Sequence, residues 1–159
     1  MAASAEQLLQ DRLDVADAIY RYASTIDTKD AKGLRAVLAD DLWAQYGNAE
    51  PITGGDTVAE WIAGAIEGMA WQHHLLSVYH TDIDGDTAKA LTYHTSYQLA
   101  KDDPTTVFVL VGRYHQELRR GDDGWQLSRI VFEILWGERR QDTTGYLAEV
   151  GGTGPHPIP

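Results

Sequence analysis

Residues 71–88 read Trp-Gln-His-His-Leu-Leu-Ser-Val-Tyr-His-Thr-Asp-Ile-Asp-Gly-Asp-Thr-Ala, an aliphatic and aromatic run that ends in an Asp84-Gly85 turn signal. Such a run is a strand, and its alternation sends neighbouring side chains to opposite faces of a sheet. His73 and His74 therefore point apart, and only one imidazole can face an interior. Downstream the pattern recurs. Residues 86–101, 105–120 and 124–136 are rich in Val, Ile, Leu, Tyr, Thr and Trp, with turn signals at Lys101-Asp-Asp-Pro104 and Arg120-Gly-Asp-Asp-Gly124. Strands with such short connections must be antiparallel neighbours, because a parallel crossover needs about a dozen residues.

Upstream the period is helical. Leu8, Val15, Ile19, Tyr22 and Ile26 recur at helical steps with Asp11, Arg12, Asp14 and Asp17 between them, which predicts an amphipathic helix ending at Asp27. A carboxylate at that end is opposed by the helix dipole. Either Asp27 and Thr28 cap a second helix, Lys29 to Leu38, or Asp27 serves another purpose. Asp40-Asp41 closes this second helix, Leu42 to Tyr46 alternates like a short strand, and Gly47-Asn48 turns the chain. Val58, Ile62, Ala65, Ile66 and Met69 mark a third helix, with Asp56 or Thr57 as its N-cap. Helices followed by a meander give an α+β fold, with the helices covering one face of a curled sheet and enclosing a pocket. One domain over residues 1–145 is expected. The Gly- and Pro-rich tail 146–159 is expected to be flexible or to lie on a neighbouring subunit.

Bulk composition narrows the function. The net charge of -11, from 13 Lys+Arg against 24 Asp+Glu, opposes attraction to nucleic acid or an anionic membrane. With no cysteine, thiolate nucleophiles and thiolate metal sites are excluded. No run of about 18 apolar residues marks a membrane span, and the first residues lack the features of a secretory signal, so a cytoplasmic protein is expected. There is no His-Glu-x-x-His, and Gly54-Gly55 lacks the pattern of a nucleotide loop, so neither metal nor cofactor is expected.

Three segments together resemble a known family: Tyr20-Arg-Tyr22 through Asp27 to Asp40-Asp41-Leu-Trp43; His74 through Asp84-Gly-Asp-Thr-Ala88; and Gly112-Arg-Tyr114 through Asp123-Gly-Trp125 to Trp136-Gly-Glu138. The chain resembles the SnoaL-like branch of the NTF2-like superfamily, which includes polyketide cyclases, scytalone dehydratase, bile-acid dehydratase and lindane dehydrochlorinase. The resemblance implies a cone in which three N-terminal helices pack on a strongly curved, mainly antiparallel sheet. It also implies that Asp27 hydrogen-bonds His74, fixing its tautomer and stabilising the imidazolium. His74 would then take a proton from carbon beside a carbonyl and return it to a leaving hydroxyl.

The same resemblance places Tyr46 and Tyr22 where relatives carry pocket phenols, although buried tyrosines are equally core residues. His94 shares strand parity with Ala88, Ala90, Thr92, Ser96 and Gln98, whereas the opposite row, Leu91, Tyr93 and Tyr97, could be the buried one. Arg129 corresponds to a basic residue of the dehydrochlorinase, or forms a cross-strand ion pair with Glu117 or Glu133. Trp43 and Trp136 are core or rim aromatics that could line the pocket. The expected activity is a cofactor-independent lyase or isomerase, dehydratase- or cyclase-like, for a small hydrophobic carbonyl compound. The alternatives are a non-catalytic ligand-binding or dimerisation module, and the small subunit of a ring-hydroxylating dioxygenase. The open face of the sheet, rich in Tyr and Val with Phe108, predicts a homodimer or larger homo-oligomer.

Overall fold

The structure, a computed structural model, describes residues 4–144; the tail 146–159 lies outside the described residues. Helix α1 (Ala5–Asp27) begins where the Ser4 hydroxyl accepts from the Gln7 amide at 3.1 Å. Its inner face carries Val15, Ala18, Ile19, Tyr22, Ala23 and Ile26, all buried. Each large apolar side chain so buried contributes about 1.5–3 kcal/mol. Asp11 lies buried on the same face, where it accepts from Arg120 Nη2 at 2.7 Å and Gln7 Nε2 at 2.9 Å. The Arg120 guanidinium holds this carboxyl below its usual range, against the opposing effect of burial. Arg120 also donates to Asp86 at 3.0 Å and lies over the Trp125 ring, so one guanidinium ties the start of α1 to the sheet.

Helix α2 (Ala31–Ala36) is shorter than the expected Lys29–Leu38 segment. Lys29 takes a φ of 56°, in the left-handed region, and breaks the path between helices. Asp30, not Asp27, is the N-cap, with its side chain accepting from Gly33 N at 2.9 Å. Strand β1 (Leu38–Tyr46) begins four residues earlier than expected. Asp40 and Asp41 therefore lie in a strand rather than at a helix end. The register with the last strand shifts between Leu38 and Trp43, and there both carboxylates stay exposed, paired with Arg35 and Arg119.

A two-residue strand β2 (Ile52–Thr53), absent from the sequence expectation, precedes α3 (Gly55–Glu67). The N-cap of α3 is Gly54, at φ 96°, rather than Asp56 or Thr57. Asp56 instead sits in the first turn, where the dipole favours an anion, and accepts from Arg35 Nε at 2.5 Å. At the other end, Lys101 Nζ donates to the Glu67 carbonyl at 2.8 Å and Lys29 Nζ to the Met69 carbonyl at 2.6 Å. Lys101 thus meets the negative end of α3, whereas Lys29 binds a carbonyl two residues beyond it.

The four long strands match the sequence reading to within a few residues, apart from a longer final strand: β3 (Met69–Asp84), β4 (Thr87–Ala100), β5 (Thr106–Gly121) and β6 (Gly124–Gln141). They form a six-stranded sheet in the order β2-β1-β6-β5-β4-β3. All neighbours are antiparallel except β1 and β6, which run parallel, so the sheet is mixed and does not close. Ala88, Ala90, Tyr114, Leu118, Leu127, Ile130 and Phe132 line its inner face and pack against α1 and α3. None of the helices among the described residues is long and apolar enough to cross a membrane.

Candidate active site

Strand β3 is the last in the sheet, so one side of its backbone has no further strand to pair with. The C-terminal end of α1 docks there. The His74 amide donates to Asp27 Oδ2 at 2.9 Å, and the His74 ring meets Asp27 Oδ1 through Nδ1 at 2.5 Å. One residue thus offers two donors to one carboxylate, which offsets the unfavourable helix dipole at that position. Facing an ionised carboxylate, which only accepts, a neutral His74 ring would carry its hydrogen on Nδ1 and leave Nε2 bare. The His74 and Asp27 side chains are 10% and 20% exposed. His73 points the other way and is exposed, as strand alternation demands.

Across the sheet His74 pairs with Ser96 in register, and its ring centroid lies 5.2 Å from that of His94. His94 is 3% exposed, with Phe132 and Tyr114 edge-on against it at 4.8 and 5.4 Å. Its Nδ1 has no hydrogen-bond partner. Burial, helped by the neighbouring His74, pushes His94 down to about 3, so it is a neutral imidazole at ordinary pH. Space for this packing comes from Gly112, directly opposite His94. A Cβ there would lie 2.5 Å from both the Phe132 ring and the Glu133 carbonyl.

A phenol group completes the layer. Tyr22 and Tyr46 share a hydrogen bond of 2.7 Å, the Tyr114 ring lies 6.0 Å from that of Tyr22, and Trp61 stacks on Tyr46 at 4.9 Å. Burial pushes Tyr22, Tyr46 and Tyr114 up, which keeps all three as neutral hydroxyls able to donate.

The structure therefore brings together Asp27, His74, His94, Tyr22 and Tyr46 on the inner side of the sheet. The uncertain strand parity resolves in favour of His94: Ala88, Ala90, Thr92, His94 and Ser96 are buried, while Tyr93 is 41% exposed. Arg129 does not join them. Glu117 pairs with Arg129 but Leu118 pairs with Leu127, so Ser128 is an extra residue in β6 that reverses the parity beyond it. Arg129 consequently faces outward, with its guanidinium 3.9 Å from the centre of the Trp43 ring, and Glu133 pairs instead with Arg113. Trp43 is excluded for a simpler reason, since it alternates with the fully buried Leu42 and Ala44. Trp136 is 59% exposed, just past a second bulge at Leu135, outside the buried cluster.

Sequence reasoning missed Gln72, Tyr114 and Trp61. Gln72 and Tyr114 were open to the parity argument, lying two residues before His74 and two before the buried Gln116. Trp61 carried no comparable signal, since it falls on the exposed side of α3.

Similarity to known proteins agrees with this architecture. An uncharacterized protein of Mycobacterium tuberculosis is 24% identical over 124 residues, covering 77% of this chain and 84% of the relative. A Novosphingobium aromaticivorans structure assigned as an aromatic ring hydroxylase superposes with a TM-score of 0.75 at 26% identity, covering 88% of this chain and 97% of that one. A second structure from that organism, assigned as a scytalone dehydratase, superposes with a TM-score of 0.78 at 16% identity, covering 89% and 98%. The family profile described as the SnoaL-like domain matches residues 7–131, and the chain belongs to that family.

Proposed function

We propose that this protein is a cofactor-independent lyase or isomerase, dehydratase- or cyclase-like, acting on a small hydrophobic carbonyl compound in the cytoplasm. The observation that carries the proposal is the 2.5 Å contact between His74 Nδ1 and Asp27 Oδ1, which leaves Nε2 as a base. His74 Nε2 takes a proton from the carbon beside the carbonyl, and the C–H electron pair becomes an enolate. The Tyr46 or Tyr22 phenol donates to the enolate oxygen. In a dehydration the enolate pair forms the new double bond and expels hydroxide from the next carbon. That hydroxide leaves as water with the proton carried on Nε2. In an isomerisation the proton returns to a different carbon. Neutral His94 and the aromatic rings around it supply a largely apolar surround for such a substrate. The likeness in fold to a protein assigned as a scytalone dehydratase supports this class of chemistry.

The test is a panel of β-hydroxy ketones, including the aldol adduct of acetone with benzaldehyde. The expected outcome is enzyme-dependent formation of the unsaturated ketone, followed by its ultraviolet absorbance. Binding of the panel with no product would favour a ligand-binding module instead. A small subunit of a ring-hydroxylating dioxygenase is the second reading, favoured by the similarity to a protein assigned as an aromatic ring hydroxylase. A subunit of that kind should lose solubility when expressed without its partner chain.

The outer face of the sheet belongs to the proposal as a contact between copies of the chain. Leu75, Tyr79, Tyr93 and Leu135 are all exposed there, around a trough of about 400 Å³. Tyr79 stacks on Tyr93 at 4.1 Å. Light scattering at micromolar concentration is expected to give a dimer or larger assembly, and a monomer would contradict this.

A further inference from the structure

Gln72 is buried at 6% exposure on the same face of β3 as His74, two residues away. Its Nε2 donates to the carbonyl of Ile26, the residue before Asp27, at 2.6 Å. A carbonyl can only accept, so this contact fixes which end of the amide is nitrogen. The other end, Oε1, is buried and has no hydrogen-bond partner. A buried acceptor left unsatisfied is destabilising, and an apolar side chain of the same shape would avoid that cost. Nor does the Ile26 carbonyl need Gln72, since it also accepts from Lys29 N at 3.1 Å.

The amide is thus a poor choice for stability at a point where it holds the backbone beside Asp27. Among the described residues, three side-chain hydrogen-bonded links join the end of α1 to the free edge of β3: Gln72 to Ile26 O, Lys29 to Met69 O, and Asp27 to His74. Lys29 Nζ lies at the exposed rim. Gln72 is the link inside, next to the dyad. We propose that Gln72 is a positioning residue. By holding the last turn of α1 against β3, it sets the Asp27 carboxylate where it meets both the amide and the ring of His74. This rests on the Asp27–His74 reading for its catalytic consequence, but not for its structural one.

The decisive variant is Gln72→Met, which keeps the shape and removes both polar ends. Three readings on the intact chain test it. Amide hydrogen exchange at His74 reports the bond to Asp27 Oδ2 directly, and is expected to quicken about fivefold or more, while other β3 amides and the thermal midpoint do not fall. With a ketone that the protein converts, kcat is expected to drop between about ten- and a hundredfold with KM little changed. Unchanged exchange at His74 would overturn the proposal, whatever the activity shows. So would a lowered midpoint with faster exchange all along β3, which is the signature of a purely structural amide. Quickened exchange at His74 without any change in kcat would leave the positioning role standing and count against the dyad as the catalyst.

Discussion

Asp27→Asn is expected to lower kcat/KM by at least about two orders of magnitude while the protein stays folded. Asparagine has the size of aspartate, and its carbonyl can still accept from the His74 amide. Its amino end cannot accept from ring Nδ1, however, so the imidazole is free to turn its other tautomer into the site. His74→Gln removes the base itself and is expected to fall as far. The double variant should be little worse than the more damaged single one, because the two groups act as a unit and their losses do not add. Substrate binding should change much less than turnover. Equal turnover in wild type and both variants would remove the dyad from the chemistry.

A second large effect concerns acid. His94 sits near 3 in the folded protein against an ordinary 6.5, and is held there by burial and by His74. Below about pH 6.5 the unfolded chain takes up a proton that the folded chain refuses, so stability falls as pH drops. His94 therefore contributes fully above that pH and progressively less on the way down to about 3. The slope is about 1.4 kcal/mol per pH unit inside that window, or on the order of 2 kcal/mol between pH 7 and pH 5. His94→Gln is expected to remove this slope, read as the difference between the two proteins in urea unfolding free energy across the pH series. Identical slopes would mean that His94 titrates normally and is not enclosed as described.

Much of this site was legible in the sequence because it depends on local periodicity. The helical recurrence from Val15 to Ile26 ends at Asp27, and strand alternation separates His73 from His74 and groups His94 with Ala90, Thr92 and Ser96. Those patterns survive folding as long as no residue is inserted into the ladder. Arg129 was misplaced for that reason: the extra residue Ser128 reverses the alternation of β6, and it is not a Gly or Pro that would announce a bulge. The parallel pairing of β1 with β6 was also hidden, because it joins segments far apart in the chain. Helix α2 was overextended because Lys29 adopts a left-handed conformation that its side chain does not advertise. Gln72 could be placed on the inner face by parity, but its bond to the Ile26 carbonyl needs the docking of α1 on β3.

The central claim is that the Asp27 carboxylate holds His74 with its Nδ1 protonated and its Nε2 free. Side-chain ¹⁵N NMR of histidine-labelled protein, at a pH where the ring is neutral, measures this directly. The expected spectrum shows His74 Nδ1 as the hydrogen-bearing nitrogen and Nε2 as the bare one, with that preference lost in Asp27→Asn. A His74 ring protonated at Nε2, or one averaging freely between tautomers in the wild type, would contradict it.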